Sequence, residues 1–216
     1  THEGIAKRMC DHNVVLCIVN TRKDAYEIYQ HLPQEGLTLH LSRMMCPLHI
    51  RETIEQIKNA LKDKEKIIRV IATQLVEAGV DIDFPVVFRQ EAGLDSILQA
   101  AGRCNREGKL DICTTYVFKL DKPLPTGMMT LSNEARKNMV GDYDWFSTEA
   151  MHEFFRQLYS RAQTFDKNGI ADYFYKLLEL NFETASKEFQ LIDDSTVSVI
   201  INWKKSPERV HILTSQ

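Results

Sequence analysis

Glycine and proline are both scarce in this 216-residue chain, at 9 and 6 residues. That scarcity excludes collagen-like repeats and long low-complexity linkers, and no internal repeat is visible. Long apolar runs are also missing. The longest, such as residues 14–19 (VVLCIV), fall far short of the roughly 20 residues that cross a bilayer, so no membrane span is expected. The five cysteines, Cys10, Cys17, Cys46, Cys104 and Cys113, are scattered, odd in number and contain no C-x-x-C pair. This argues against a disulfide framework or a zinc site, and points to reduced thiols in a cytoplasm. Among the histidines, His31, His40, His49 and His152 show neither H-x-x-x-H nor H-E-x-x-H spacing, so no metal site is expected. A formal net charge of −3 leaves no bulk basic footprint. Any contact with nucleic acid must then come from a few placed groups. The amino terminus has no methionine, signal-type apolar stretch or acid-poor leader. The Thr1-His2 start reads as a piece of a longer polypeptide without an export or organelle address.

What is present is a core. With 44% hydrophobic residues, the chain can bury one large domain, or one domain with an appendage. Residues 14–19 are continuously apolar and rich in β-branched side chains, as a strand covered on both faces must be. Over 22–32, Ala25, Tyr26, Ile28, Tyr29 and Leu32 recur at helical spacing, with Thr21 as N-cap and Pro33 as a stop. The alternation continues with strands predicted at 37–41, 67–72, 86–89 and 115–118, and helices at 48–61 and 96–106. Alternating strands and helices imply an α/β lobe with a mostly parallel sheet, whose ligands sit beyond the carboxyl ends of the strands.

Composition changes after Leu120, where the segment 122–127 (KPLPTG) reads as a connecting loop. Helices are predicted at 148–165 and 170–182, and a β-hairpin from Phe189 toward Trp203. The expected division is a lobe over 1–120 and a linker with an accessory segment over 121–216. The aromatic clusters at Phe154, Phe155, Leu158, Tyr159 and at Tyr173, Phe174, Leu177, Leu178 have the helical spacing of core positions.

Two segments carry chemistry. In 99–106 (QAAGRCNR), Gln99, Arg103 and Arg106 would share one face of a helix, an amide with two guanidiniums in the form of a phosphate clamp. Gly102 would leave room for close approach beside Arg103. In 72–83 (ATQLVEAGVDID), a buried strand ends at Thr73, whose hydroxyl and neighbouring free amides are suited to a phosphate. Gly79 permits a tight turn there, and Asp81 is placed to accept a ribose hydroxyl. Equally informative is what no segment supplies. There is no G-x-x-x-x-G-K-[ST] loop and no strand ending in an Asp-Glu pair, so a phosphate cradle and magnesium site must lie on another segment.

In this order, the segments resemble the second motor lobe of superfamily 2 helicases. Residues 15–21 look like motif IV, 41–44 like the next strand-end element, 72–83 like motif V and 99–106 like motif VI. The wording of the last two is most similar to the CRISPR-associated helicase-nuclease family of type I systems. The resemblance covers roughly 14–118, with a weaker likeness at 192–197.

The resemblance implies a RecA-like three-layer lobe in an ATP-dependent single-strand DNA translocase of CRISPR defence. Arg106 would reach the ATP γ-phosphate from across the interlobe cleft, with Arg103 and Gln99 supporting the same phosphates. Gly79 and Asp81 would meet the nucleotide, while Thr21, Ser42, Arg43 and Thr73 would touch the strand, with Arg51 a weaker candidate. ATP with Mg2+ would be held mainly by a first lobe outside this chain, leaving the fragment inactive alone. Single-stranded DNA, the first lobe and nuclease domain of the same polypeptide, and a CRISPR surveillance complex are the implied partners. The family's nuclease carries a His-Asp pair; here only Asp11-His12 stands, in reverse order, and no nuclease activity is assigned. A non-catalytic docking module for a surveillance complex or nuclease partner, and an RNA-directed motor lobe, remain alternatives.

Overall fold

Strand-by-strand alternation of apolar side chains sets the layers. In the computed structural model, which describes residues 1–63, 65–77, 80–104, 113–161, 169–175 and 182–189, the strands are β1 (Val14–Ile18), β2 (Leu37–Leu41), β3 (Ile68–Ala72), β4 (Val86–Gln90) and β5 (Thr114–Phe118). They form one sheet in the order β2-β3-β1-β4-β5, and every pairing is parallel. Successive residues of a strand point to opposite faces. Leu16, Ile18, Val70 and Ala72 accordingly pack with Ile57 of α3 (Pro47–Ala60) and Ala100 of α4 (Leu94–Ala101). Val15, Cys17, Val19 and Ile71 pack on the other face with Ile5 and Met9 of α1 (His2–Cys10) and with Ala25 and Ile28 of α2 (Arg22–His31). The expected α/β lobe with helices on both faces is therefore what forms.

Local chemistry starts and stops these elements. Thr21 caps α2, its Oγ1 accepting from the Asp24 amide at 3.1 Å, and Pro47 opens α3 at the position where a missing N–H costs nothing. Gly36 precedes β2 at φ 71°, and a Cβ there would stand 2.5 Å from the Ile67 carbonyl oxygen, so a side chain is excluded.

Three differences from the sequence reading have physical causes. The helix predicted at 96–106 runs Leu94–Ala101 and closes at Gly102. Past that point the chain leaves the helix to run beside Phe84, whose amide donates to the Arg103 carbonyl at 2.9 Å. Gln99 and Arg103 consequently do not share a helix face. Among the described residues, a Cβ on Gly102 would meet the carbonyl oxygens of Gln99 and Leu98 in its own preceding turn, at 3.4 and 3.5 Å, and this glycine ends the helix. Finally, α1 and α5 (Met128–Lys137) are helices that the sequence reading did not anticipate.

After β5, α5 and α6 (Thr148–Ser160) pack on α4 through Leu94, Ala135, Ala150 and Phe154. Gly93 permits this approach, since a Cβ there would lie 2.8 Å from Ser132 Cβ. The chain divides into two units, Thr1–Tyr159 and Ser160–Gln216, and the first contains α5 and nearly all of α6. In the second, α7 (Asp172–Tyr175) and α8 (Phe182–Glu188) meet through Phe174 and Phe182, with ring centroids 5.5 Å apart. The end of the first predicted helix at 162–165, the residues 166–168 that follow it, the stretch 176–181 of the second predicted helix, the hairpin beyond Phe189 and the family-like stretch at 192–197 lie outside the described residues. Among the described residues, no helix is long and apolar enough to cross a membrane.

Candidate nucleic-acid and nucleotide site

Register brings the candidate segments together. Ile18 pairs with Ala72 and with Arg89, and Ala72 pairs with Leu41, so β1, β2, β3 and β4 reach their carboxyl ends at one level. Strands about 4.8 Å apart then release their loops side by side: Asn20-Thr21 after β1, Ser42-Arg43 after β2 and Thr73-Gln74 after β3. The chain leaves β1 toward one edge of the sheet and β4 toward the other, which is the arrangement that opens a ligand crevice in parallel sheets.

A groove of about 620 Å³ lies at the carboxyl ends of β1, β2 and β3, lined by Asn20, Thr21, Arg22, Arg43, Thr73, Gln74, Leu75, Pro125 and Met129. Three of the four predicted strand-contacting residues, Thr21, Arg43 and Thr73, thus share one surface. Ser42 is fully buried and its Oγ accepts from the Met44 amide at 3.3 Å, so it shapes the loop that presents Arg43. The Thr21 hydroxyl is already engaged, donating to Asp24 Oδ2 at 2.6 Å. The first amides of α2, at Arg22 and Lys23, have no acceptor within the helix and make this end of the groove attractive to an anion. Thr73 makes no side-chain capping bond to the 3₁₀ turn Gln74–Val76. Its own amide donates to the Leu41 carbonyl at 3.0 Å. Arg51 is exposed on α3, off the groove.

Asp24 is fully buried and holds this end of the lobe together. It pairs with His2 of α1 at 2.8 Å and with Lys122, after β5, at 2.5 Å. Burial works against its charge, but hydrogen bonds from Lys122, Thr21 and His2 outweigh it and hold the carboxyl below its ordinary value.

Behind the groove is a buried polar network that the sequence reading missed. Arg89, fully buried at the end of β4, pairs with Glu77 at 2.9 Å and donates to Asn20 Oδ1 and the Gln90 carbonyl, each at 2.7 Å. Asn20 returns two bonds at 2.9 Å, from its amide to Gln90 Oε1 and from Nδ2 to the Glu91 carbonyl. Arg103, itself buried, donates from Nη2 to the Glu77 carbonyl at 2.7 Å. Burial pushes the Glu77 carboxyl up, with Arg89 opposing; burial likewise pulls Arg89 down, with Glu77 opposing.

The nucleotide-side residues divide differently. Arg103 turns inward onto the motif V-like turn, Gln99 is exposed on α4, and Asp81 is exposed just beyond the turn. Arg106 and Gly79 lie outside the described residues. Among the described residues, no three His, Cys, Asp or Glu side chains gather as a metal cluster.

A family model for the C-terminal part of the CRISPR-associated nuclease/helicase Cas3 matches residues 11–109. Curated Cas3 nuclease/helicases are similar at 50% identity over 56 residues in Haloferax volcanii and 31% over 97 residues in Methanothermobacter thermautotrophicus. Over the matched residues the chain is similar to the C-terminal portion of the Cas3 nuclease/helicase family. Those matches take in 26% and 45% of this chain but only 6% and 12% of the two relatives. Among solved structures, a CRISPR-associated protein is similar with a TM-score of 0.56 at 17% identity, covering 86% of this chain and 24% of that one. T. fusca Cas3 with ADP gives 0.52 at 17% identity, over 87% and 24%. At that identity these likenesses speak to the fold alone, an α/β lobe of RecA-like type.

Proposed function

We propose that this chain is the second lobe of an ATP-dependent motor that moves on single-stranded DNA in CRISPR defence, and that it does not hydrolyse ATP alone. The observation that carries this reading is the groove at the carboxyl ends of β1, β2 and β3, where Thr21, Arg22, Arg43 and Thr73 converge. Phosphates of the strand meet the first amides of α2, the two guanidiniums and the Thr73 hydroxyl. Such contacts read the backbone and no base, so binding is independent of sequence and sensitive to salt.

ATP with Mg2+ supplies the phosphoryl chemistry when bound, and its cradle belongs to the first lobe of the full-length protein. Of the residues described, exposed Asp81 fits a ribose hydroxyl, whereas Arg103 supports the turn that presents it. Arg106 is assigned as the arginine finger and Gly79 as the tight turn, both on the family's pattern. Gln99 keeps its assignment beside the same phosphates from the exposed side of α4. The first lobe, the nuclease domain and a surveillance complex are the proposed partners.

Binding of a fluorescent single-stranded DNA to the full-length protein across a salt series tests this reading. Replacing Arg22 and Arg43 by alanine should weaken binding and make log K against log[salt] shallower by about 0.7 for each phosphate that is no longer neutralised. Unchanged affinity and slope would remove the groove from the strand track. A ribonucleotide strand of the same length, run in parallel, measures the preference between DNA and RNA.

A further inference from the structure

Two cysteines stand where α4 gives way to β5: Cys104, just past Gly102, and Cys113, directly before Thr114. Their neighbours bring them together. Cys104 runs parallel to Phe84, and its Sγ donates to the Pro85 carbonyl at 3.5 Å. The same oxygen accepts from the Thr114 amide at 3.4 Å, so the residue after Cys113 meets the acceptor that Cys104 meets. Cys113 Sγ in turn donates to the Cys104 carbonyl at 3.4 Å, and the two thiols hydrogen-bond to each other. Residues this close in sequence meet at small cost in chain entropy. Their surroundings differ. Cys104 is 7% exposed, whereas Cys113 is open to solvent. Burial, with the Cys113 thiol adding to it, pushes Cys104 up to about 12. A reagent arriving from solvent therefore meets Cys113 first, with Cys104 behind it. Among the described residues, no hydrogen bond joins any other two cysteines: Cys10 ends α1, Cys17 lies within β1 and Cys46 precedes α3.

We infer that Cys104 and Cys113 form a reversible thiol–disulfide exchange site whose co-reactant is a small-molecule disulfide of the glutathione class. The Cys113 thiolate attacks one sulfur of the disulfide RSSR, forming Cys113–S–SR and releasing RS⁻. The Cys104 thiolate then attacks Cys113 Sγ, closing the Cys104–Cys113 bond and releasing the second RS⁻. The two cysteine protons end on the two released thiolates, so the cysteine pair is oxidised and one RSSR is reduced to two RSH. A buried thiol reacts poorly with reagents from bulk water, but at contact distance the second attack is intramolecular. The bond ties the segment after α4 to the start of β5. Because one of its sulfurs is exposed, it belongs to the labile class that thiol reductants reopen. Neither cysteine lines the groove, so the inference stands apart from the motor-lobe reading.

The test incubates the native full-length protein in glutathione buffers of rising oxidised fraction, blocks the remaining thiols with a maleimide, and maps linked and modified peptides by mass spectrometry. The expected result is a Cys104–Cys113 linked peptide that forms at a lower oxidised fraction than any link involving Cys10, Cys17 or Cys46, and that dithiothreitol removes. Cys104→Ser should leave Cys113 holding one glutathione persistently, since nothing resolves the mixed disulfide. Cys113→Ser should leave Cys104 reduced, since the first attack is lost. Should Cys104→Ser fail to fold, Cys104→Ala takes its place under the same expectation, and the mapping of the unaltered protein decides without either. Persistent glutathione on Cys113 of the unaltered protein with no link to Cys104, or a link from either residue to a different cysteine, overturns the inference. So does a Cys104 that is oxidised as readily in Cys113→Ser as in the unaltered protein.

Discussion

Replacing Glu77 alone by leucine leaves the Arg89 guanidinium in a site with no solvent exposure and without its counterion. Breaking one half of a buried ion pair costs roughly 3–5 kcal/mol. Arg89 retains Asn20 Oδ1 and the Gln90 carbonyl as acceptors, which places the expected loss at the lower end, about 3 kcal/mol. For a unit of this size, that corresponds to a fall in Tm of roughly 6–12 °C. Adding Arg89→Met removes the stranded charge, and the double variant should return to within about 1 kcal/mol of the unaltered chain. The two substitutions are then strongly non-additive, as contacting residues in one network are. Urea unfolding followed by far-ultraviolet circular dichroism supplies the free energies, with a common m-value as the check on two-state behaviour. A Glu77→Leu loss below about 1 kcal/mol, or a double variant as unstable as the sum of the singles, would refute the claim that this pair is desolvated and mutually dependent.

Two further expectations concern other parts of the lobe. Asp24 titrates below its ordinary value when folded, so its contribution to stability is complete above the usual aspartate range and is lost as pH falls through the folded value. Asp24→Asn should flatten that acid limb of a stability-against-pH profile, and an unaltered limb would show that the carboxylate is not held by Lys122, Thr21 and His2. Among the thiols, Cys17 is buried and its pKa is driven up by burial, and burial likewise pushes Cys104 up to about 12. Exposed Cys113 should therefore react with a maleimide in the native protein well before either; labelling of Cys17 at a similar rate would contradict the packing of β1.

What the sequence reveals and conceals here follows from the range of the forces involved. The strands were legible because burial on both faces demands uninterrupted apolar residues, as at Val15, Leu16, Cys17 and Ile18. Helix α2 was legible because Thr21 and Pro33 bracket its apolar spacing. Helix α5 starts after Gly127, at φ 95° with no side-chain cap, and so carries no local start signal. Helix α1 had one that went unread: Ile5, Ala6 and Met9 at helical spacing, with Glu3 and Lys7 paired four apart. In the site, Thr21, Arg43 and Thr73 were found as separate strand-end residues, and only the shared register of β1, β2 and β3 puts them in one groove. The network behind it was illegible because its bonds join positions 69 apart, from Arg89 to Asn20, and 26 apart, from Arg103 to Glu77. The available hint was an arginine closing an otherwise apolar strand. The same packing corrected Arg103, which faces the Glu77 carbonyl where helical spacing had aligned it with Gln99.

The most direct test of the motor-lobe account is strand-stimulated ATP hydrolysis, compared among this chain alone, the full-length protein, and the full-length protein with Arg106→Ala. The account predicts no turnover from the chain alone, stimulated turnover from the full-length protein, and a loss of roughly 10³- to 10⁵-fold on the substitution. Full stimulated turnover in the Arg106→Ala protein would contradict it.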